Sequence, residues 1–501
     1  MDKIQLLYVE NIVTRDNEVQ QQTLNFFMVV ENLSYDKQVD VLWSGADGIW
    51  HVLPALFHSR IDSSKEYWQV TTRIQQTPAT ALPGNISFSL RYRALGKEFQ
   101  DHHNGLNYLS PANSGIRLAH DLQLLNIGFS DKLVSERKFM SISVAVDPTL
   151  ELEKVIIHWT TDNWSHVHQT PCHFRKSAHN KKLLSPSKGL NRGQVELWKG
   201  RINVTHAFRL QYCIAGYSKN RVWWDNNYGQ NYAARHKPLK VMILNLHCYQ
   251  EEHQDHKFSQ IAKAIDDLQV DIVCLQEVAE LWNNGQGDWN SNSARIINDR
   301  LPKPFNLHTD WSHMGFDKYR EGVAILSRYP MSNHDARYVS ESADIYSIHS
   351  RKVVNAQINV PGIGALNVFS AHLSWWEDGF AGQFKRLSEW AATTHSRAVK
   401  ATLLCGDFNI AAGSVGYQLV VQSNEYEDQF LAAERQGIFE KIFRVNDPYW
   451  SHYLADDYRI DYIFMNKHSS LKVTAGEVLF TDDYYGRVSD HCGYLMTFEP
   501  K

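Results

Sequence analysis

A chain of 501 residues is too long for one hydrophobic core and predicts about two to four domains. At 43% hydrophobic and 21% charged its composition is globular, which excludes a disordered or fibrous chain, and no apolar run reaches the length of about 18 residues that a membrane span needs. The net charge of −4 is uneven. Residues 240–501 carry 24 Lys and Arg against 34 Asp and Glu (−10), which leaves 27 against 21 (+6) for residues 1–239; an acidic second half argues against tracking a nucleic acid and favours a small anionic substrate.

The opening stretch, MDKIQLLYVENIVTRDNEV, has a charge inside every short apolar segment and no signal-peptide core, so a cytoplasmic location is expected. The six cysteines mostly lie in apolar, strand-like contexts and never as CxxC; they read as reduced core residues, not as a disulfide or zinc framework. Residues 1–235 then repeat themselves. FSLRYRALGKEFQDHHNGLNY (88–108) echoes FRLQYCIAGYSKNRVWWDNNYGQNY (208–232). Phe88, Tyr92 and Gly96 match Phe208, Tyr212 and Gly216 at an offset of 120; after a four-residue insertion, Asp101, Gly105, Asn107 and Tyr108 match Asp225, Gly229, Asn231 and Tyr232 at an offset of 124. VDVLWSGADGIWHVLPALF (39–57) pairs likewise with KVIIHWTTDNWSHVHQTPCHF (154–174). Short alternating strands with frequent turn signals predict an all-β, immunoglobulin-like sandwich for each copy, at 1–112 and 113–235. The Lys/Ser/Asn-rich insertion 176–194 is expected to be an exposed loop.

WWDNNYGQNY and the upstream WTTDNW resemble the signature segments of the starch- and glycogen-binding module family of amylases and glycogen-targeting phosphatase subunits. The resemblance implies α-glucan as a partner and Trp159, Trp164, Asp225, Asn227, Asn231 and Tyr232 as the residues that meet it, with core packing as the alternative for Trp159 and Tyr232. The chemistry is reasonable in itself, because sugar rings combine apolar faces with dense hydroxyl edges. In the first copy FQDHHNGLNY lacks the tryptophan pair and the consecutive asparagines, and a structural sandwich is expected there.

After a short basic linker, RHKPLK (235–240), the chain alternates apolar strands with helical segments. VMILNL (241–246) ends near Asn245, KFSQIAKAIDDL (257–268) has a helical period, and VDIVCLQEV (270–278) delivers Glu277. EGVAILSRYP (321–330) opens on Glu321, VVNAQINV (353–360) alternates, and GALNVFSAHLSWW (364–376) runs into His372. FKRLSEWAATTH (384–395) is an amphipathic helix, and LLCGDFN (403–409), RIDYIFM (459–465) and VSDHCGYLMTF (488–498) follow. In LLCGDFN a buried strand delivers Asp407 and Asn409, two apart and so on one face, while Gly406 lets the backbone approach its neighbour closely. The elements predict a two-layer β-sandwich covered by helices over 238–501, an α/β-β/α four-layer arrangement.

Nine strand-end residues, Asn245, Glu277, Glu321, His372, Asp407, Asn409, Asp461, Asp490 and His491, are all metal-ligand or acid–base types. Their order, within LQE, GVAILSR, AHL, GDFN, RIDYIF and SDH, resembles the endonuclease/exonuclease/phosphatase superfamily of metal-dependent hydrolases across essentially all of 238–501. That resemblance implies Glu277 as principal ligand of Mg²⁺ (or Mn²⁺), with Asn245 and Asp490 nearby. It implies Asp407 as the group that orients or deprotonates the attacking water, with Asn409 holding that water or a phosphoryl oxygen. His491, held by Asp461, stabilises transition-state charge; His372, with Glu321 as its carboxylate partner, meets the phosphate from the other side.

The superfamily contains monoesterases and diesterases, so the fold does not choose the substrate. The acidic catalytic half, the glucan-type repeat and the aromatic stretch SWWEDGF (374–380) favour a phosphorylated sugar, with Trp375 and Trp376 as a sugar platform or, equally, a lid packed on the core. The combination resembles the bacterial maltose 6'-phosphate phosphatases and implies a cytoplasmic phosphatase acting on a phosphorylated α-glucoside, with neither nucleic acid nor membrane as partner. The alternatives are a phosphodiesterase of the nuclease or sphingomyelinase kind, and a glucan-binding scaffold with an inactive hydrolase domain.

Overall fold

The computed structural model describes residues 3–16, 19–135, 137–174, 195–435, 459–482 and 484–501. The insertion 176–194, expected as a loop, lies outside the described residues. The chain divides into two compact units, Met1–His236 and Lys237–Lys501.

The described residues of the first unit form sheets, with one short 3-10 turn at Pro148–Leu150. One five-stranded sheet runs Gly115–Leu118, Ile4–Asp16, Val19–Glu31, Lys65–Gln75, Leu56–Arg60; the sheet sharing its core runs Trp50–Pro54, Lys37–Ser44, Ile86–Ala94, Lys97–Asp101, with Tyr108–Ser110 also on Ile86–Ala94. A second pair of sheets follows, Leu124–Ile127, Phe139–Val146, Glu196–Asn203, His173–Phe174 against His168–Pro171, Lys154–Thr160, Arg209–Tyr217, Val222–Asp225, with Tyr232–Arg235 on Arg209–Tyr217. Gly115–Leu118 pairs with Ile4–Asp16, so the expected boundary at 113 falls too early.

The repeat is visible as repeated pairing, and the pairing corrects its register. Trp43 faces Phe88 and Phe88 faces Tyr108; Trp159 faces Tyr212 and Tyr212 faces Tyr232. Phe88 is therefore equivalent to Tyr212, at the offset of 124 shared by Asp101 and Asp225, and no four-residue insertion separates the two halves of the motif. A slip of four keeps every side chain on its face, because strand alternation has period two, so the sequence carried no penalty for it. Equivalent ring pairs confirm the register: Phe88–Tyr108 stack at 5.2 Å and Tyr212–Tyr232 at 5.3 Å. A further apolar cluster, with Tyr8, Phe27 and Tyr67 from the first copy and Leu125, Ile127 and Leu197 from the second, joins the two sandwiches.

The second unit has two six-stranded sheets. One runs Asn306–Gly315, Tyr319–Ser327, Ile272–Leu281, Leu239–Asn245, Gly493–Pro500, Leu471–Leu479; the other runs Met331–Tyr338, Lys352–Val360, Gly364–His372, Val399–Asp407, Asp461–Asn466, Tyr426–Asp428. Each has one parallel pair, and a helix makes the crossover: Gln254–Asp267 between Leu239–Asn245 and Ile272–Leu281, Phe380–Thr394 between Gly364–His372 and Val399–Asp407. Phe258, Ile261 and Ile265 recur at helical spacing and pack with Leu244, Val273 and Leu275; Phe384, Leu387 and Ala391 do the same against Phe369, Leu404 and Phe464. The opposite faces of the sheets meet each other, tied by Gln276 Nε2 donating to Ser370 Oγ at 3.1 Å and by Ser370 Oγ donating to the Leu275 carbonyl at 3.1 Å. All six cysteines are unpaired and buried, and no helix among the described residues is long and apolar enough to cross a membrane.

Candidate active site

Strand parity gathers the site. In Val399–Asp407, Leu404 packs on the helix side, so Leu403, Cys405 and Asp407 face the other sheet. The same count turns Asn245, Gln276, Glu321, His372 and Asp461 inward, opposite Leu244, Leu275, Ala324, Phe369 and Tyr462 on the helix sides. Glu277 breaks the rule. By alternation it should follow Leu275 outward, but a β-bulge lies between Gln276 and Val278, and Glu277 takes φ +49, in the left-handed region. The bulge re-aims the carboxylate beside Asn245, whose Nδ2 donates to Glu277 Oε1 at 2.8 Å. Such strained positions cluster where a function holds them.

Asp407 is the hub. Its Oδ2 accepts from Asn245 Nδ2 at 3.0 Å and lies 3.7 Å from His372 Nε2 and 3.9 Å from His491 Nε2; its Oδ1 accepts the Asn409 backbone N–H at 2.8 Å. Asn409, itself at φ +51, donates through Nδ2 to the Leu373 carbonyl at 2.9 Å. Burial and the neighbouring Asp461 push the Asp407 carboxyl up to about 7, and burial and Glu321 push Glu277 to about 7 as well.

The two histidines differ in charge. His491 Nδ1 lies 2.8 Å from Asp461 Oδ2; burial pulls the ring down, but Asp461, Asp407 and Asp490 outweigh burial and hold it well above its ordinary value. His372 is held well below its ordinary value by burial and then by Arg351. Arg351 Nη1 donates to His372 Nδ1 at 3.1 Å, and a guanidinium only donates, so Nδ1 carries the lone pair and Nε2 the proton, on the Asp407 side.

Two expectations change here. Glu321 is not the close partner of His372: Oε1 lies 4.0 Å from His372 Nδ1 and 3.4 Å from His313 Nε2, so Arg351 and His313 occupy the places expected of that pair. Asn245 turns its amide nitrogen, not its oxygen, to both carboxylates, while its Oδ1 accepts the His247 N–H at 3.1 Å. The ligand set expected at Glu277, Asn245 and Asp490 is thus divided. Donor atoms converge as Glu277, His372 and Asp407, as Asp407, Asp461 and His491, and as His247, Glu251 and Asp490. Two carboxyls raised together in one buried pocket are the state a hard divalent cation relieves, and oxygen donors suit such a cation. Trp375 and Trp376 are 40% and 36% exposed, and Trp376 rests near Phe380 at the start of the following helix, with centroids 6.3 Å apart.

Behind the site, buried Arg459 forms an ion pair with Asp428 at 2.5 Å and is flanked by the Phe430 and Tyr462 rings at 4.4 and 4.3 Å, just before Asp461. Arg459→Lys keeps the charge but loses the fork and the stacking. Its expected cost is about 2 kcal/mol, measured as the shift in denaturant midpoint.

In the first unit the six glucan candidates separate. Tyr232 is 2% exposed; its hydroxyl donates to Asp225 at 2.9 Å, and Asp225 also accepts the Asn126 N–H at 2.6 Å. Tyr108 and Asp101 make the same bond at 2.8 Å in the first copy. Asn227 is buried, accepting from Tyr67 Oη at 2.6 Å and donating to the Asn231 carbonyl at 2.7 Å. These three residues are structural ties, with Tyr232 and Asn227 buried and Asp225 half-buried. Trp159 packs on the core with Nε1 donating to Thr170 Oγ1 at 3.0 Å, while Trp164 and Asn231 are half-buried. Trp224, which neighbours these residues in sequence but was not singled out, is 53% exposed on the outer face, 5.2 Å from the His158 ring.

Residues 242–491 match the endonuclease/exonuclease/phosphatase family, and residues 129–235 match the family 21 carbohydrate/starch-binding module. The chain therefore carries a hydrolase domain of the endonuclease/exonuclease/phosphatase family together with a family 21 starch-binding module. Over 195 residues it is 28% identical to the uncharacterized protein YbhP of Escherichia coli, covering 37% of this chain and 72% of that protein. Over 82 residues it is 38% identical to protein phosphatase 1 regulatory subunit 3E of Mus musculus, covering 16% of this chain and 28% of that one. The structure of an endonuclease/exonuclease/phosphatase family protein from Leptotrichia buccalis is 28% identical, with a TM-score of 0.45, over 52% of this chain and 99% of its own. Enzymes of this family are generally dependent on a divalent metal, and the carboxylate and histidine groups above suit one.

Proposed function

We propose that the second unit is a divalent-metal-dependent phosphatase that removes the terminal phosphate of a phosphorylated α-glucoside such as maltose 6'-phosphate. The observation that carries the reading is Asp407 Oδ2, set among Asn245, His372 and His491 in a chain that also carries a starch-binding module. A Mg²⁺ or Mn²⁺ ion, held by Glu277, whose carboxylate the Asn245 amide positions, would neutralise phosphoryl charge. Asp407 orients a water for in-line attack and takes its proton, and Asn409 fixes the backbone that carries Asp407. His491, kept charged by Asp461, meets the charge that develops on the phosphoryl oxygens, and the neutral Nε2–H of His372 donates from the other side. Trp375 and Trp376 stand as the sugar platform, and Trp164 and Trp224 as the glucan surface of the module.

At the level of architecture, the same reading takes the second unit as a four-layer sandwich and the first as two immunoglobulin-like sandwiches. Helices packed on the outer faces of both sheets and the repeated strand pairing support it. Six unpaired cysteines support a reducing, cytoplasmic setting.

The test is a substrate panel with Mg²⁺: phosphorylated maltose and trehalose, glucose 6-phosphate, plasmid, single-stranded DNA and sphingomyelin. Phosphate release from the disaccharide phosphates with plasmid intact is expected, and rapid plasmid nicking at low enzyme would sink the reading. Chelation is expected to abolish turnover, and Mg²⁺ or Mn²⁺ to restore it in a phosphate-release assay. Trp164→Ala and Trp224→Ala are each expected to weaken glycogen co-sedimentation by about tenfold, since one stacked aromatic contributes about 1–1.5 kcal/mol.

A further inference from the structure

Among the described residues Arg351 is a cation with no carboxylate in ion-pair contact. Its side-chain hydrogen bonds go to two neutral groups, His372 Nδ1 at 3.1 Å from Nη1 and Ser374 Oγ at 3.4 Å from Nε. Glu321, Asp407, Glu277 and Asp378 all act on it electrostatically, yet among the described residues no carboxylate lies within 4.0 Å of its guanidinium. Other buried or half-buried cations of this unit meet a carboxylate: Arg459 meets Asp428, and Lys257 meets Glu251. Glu321, the nearest in effect, is turned to His313 at 3.4 Å. A guanidinium has five N–H donors in a planar fork, and these two bonds use two of them. Its anchor, His372, stands 3.7 Å from Asp407 on the opposite ring nitrogen, and Asp407 and Glu277 of the reacting centre are among the carboxylates that act on the guanidinium.

We propose that Arg351 binds a non-bridging phosphoryl oxygen and supplies the fixed positive charge that matches a phosphomonoester. The inference rests on the phosphatase reading above and sharpens it. A monoester carries close to two negative charges near neutral pH and a diester only one. A permanent cation with no carboxylate in contact is matched by the second charge of a monoester, and a diester matches it less well in a half-buried site. The bond to His372 gives Arg351 a second, positioning role, but that role alone would serve both ester classes equally.

The experiment compares p-nitrophenyl phosphate with bis-(p-nitrophenyl) phosphate, and adds inorganic phosphate as inhibitor, on the full chain with Mg²⁺. Arg351→Ala is expected to lower kcat/KM for the monoester by about 10²-fold and for the diester by less than about tenfold, with a phosphate inhibition constant raised by about tenfold or more. Arg351→Lys, which keeps the charge without the fork, is expected to fall between, and added guanidinium ion to restore part of the Arg351→Ala monoester rate. Equal losses on both esters, with phosphate inhibition unchanged, would show that Arg351 only holds His372 and overturn the proposal. Should Arg351→Ala fail to fold, Arg351→Lys and Arg351→Gln decide the same ratio. Neither probe contains sugar, so hydrolysis of p-nitrophenyl phosphate without turnover of any sugar phosphate would remove the glucoside reading and leave the Arg351 result standing.

Discussion

Asp407→Ala is expected to lower kcat by about 10³-fold or more while leaving the folded protein at least as stable at pH 8 in chelator as the wild type. The loss in rate follows from position: one carboxylate oxygen is within 3.0 Å of the Asn245 amide and within 3.9 Å of both histidines, and a general base so placed contributes about 10²–10⁴-fold. The stability argument runs the other way. The folded-state pKa of Asp407 is raised from 3.8 to about 7 by burial and by Asp461. An acid whose folded pKa is raised binds its proton more tightly in the native state, so its contribution to stability is lost as pH rises from its unfolded pKa through about 7. Above that pH the ionised carboxylate opposes folding, and deleting it relieves the repulsion from Asp461. Thermal unfolding in EDTA at pH 8 with parallel assays of kcat checks both halves; a variant that loses stability together with rate would place Asp407 in the scaffold and not in the chemistry. Asp407→Asn is not a gentler version. Oδ1 and Oδ2 each accept from a different donor, and an amide has only one oxygen to offer Asn245 and the Asn409 N–H.

Most of this site was legible because its acid, amide and histidine residues stand at the ends of apolar strands, and strand parity explains why the structure gathers them. Apolar residues at 242 and 244, 273 and 275, and 404 fix which way 245, 276 and 407 point, and parity needs no three-dimensional information. Legibility failed where a local device overrides parity or where the chemistry is carried by residues of ordinary appearance. Glu277 was found through its motif; by alternation alone it belongs with the helix-side core, and the bulge that rescues it leaves no composition signal. Arg351 opens Lys352–Val360 beside Lys352, so in sequence it looks like one of two solvated charges at a strand start, and His313 lies in the polar stretch Asn306–Gly315, which gave no strand signal. In the first unit the failure has the opposite sign. Asp225 and Tyr232 stand out because they are invariant to the repeat, and the same Asp–Tyr bond in both copies shows that the repeat preserves a fold-holding tie. A motif shared by both copies marks architecture, and the exposed Trp224, which the first copy does not share, marks the surface where the copies differ.

Gly406→Ala is expected to destabilise the second unit by at least about 4 kcal/mol and to abolish activity with it. Two independent effects add. Gly406 sits at φ +134, a conformation that side chains rarely adopt, and a Cβ there would lie 2.1 Å from the Ala371 carbonyl oxygen and 2.8 Å from Gln276 Nε2. Neither neighbour has room to move. Ala371 is the parallel partner of Gly406 in the ladder that aligns His372 with Asp407, and Gln276 is held across the sheets by Ser370. Relief of the clash must therefore separate His372 from Asp407 or displace the residue before Glu277, so the same methyl group damages fold and site together. Gly413→Ala separates the two effects: Gly413 is at φ +81 with no atom near the position of a Cβ, so only the backbone term applies, about 1–2 kcal/mol. Denaturant midpoints of the two variants should differ by more than the backbone term alone, and comparable losses at 406 and 413 would mean that the strand Val399–Asp407 is free to shift against Gly364–His372. In that case the alignment of His372 with Asp407 would not be a rigid property of the ladder, and the two histidines would have to find Asp407 by some other constraint, of which the Arg351 bond to His372 and the Asp461 bond to His491 are the ones the structure provides.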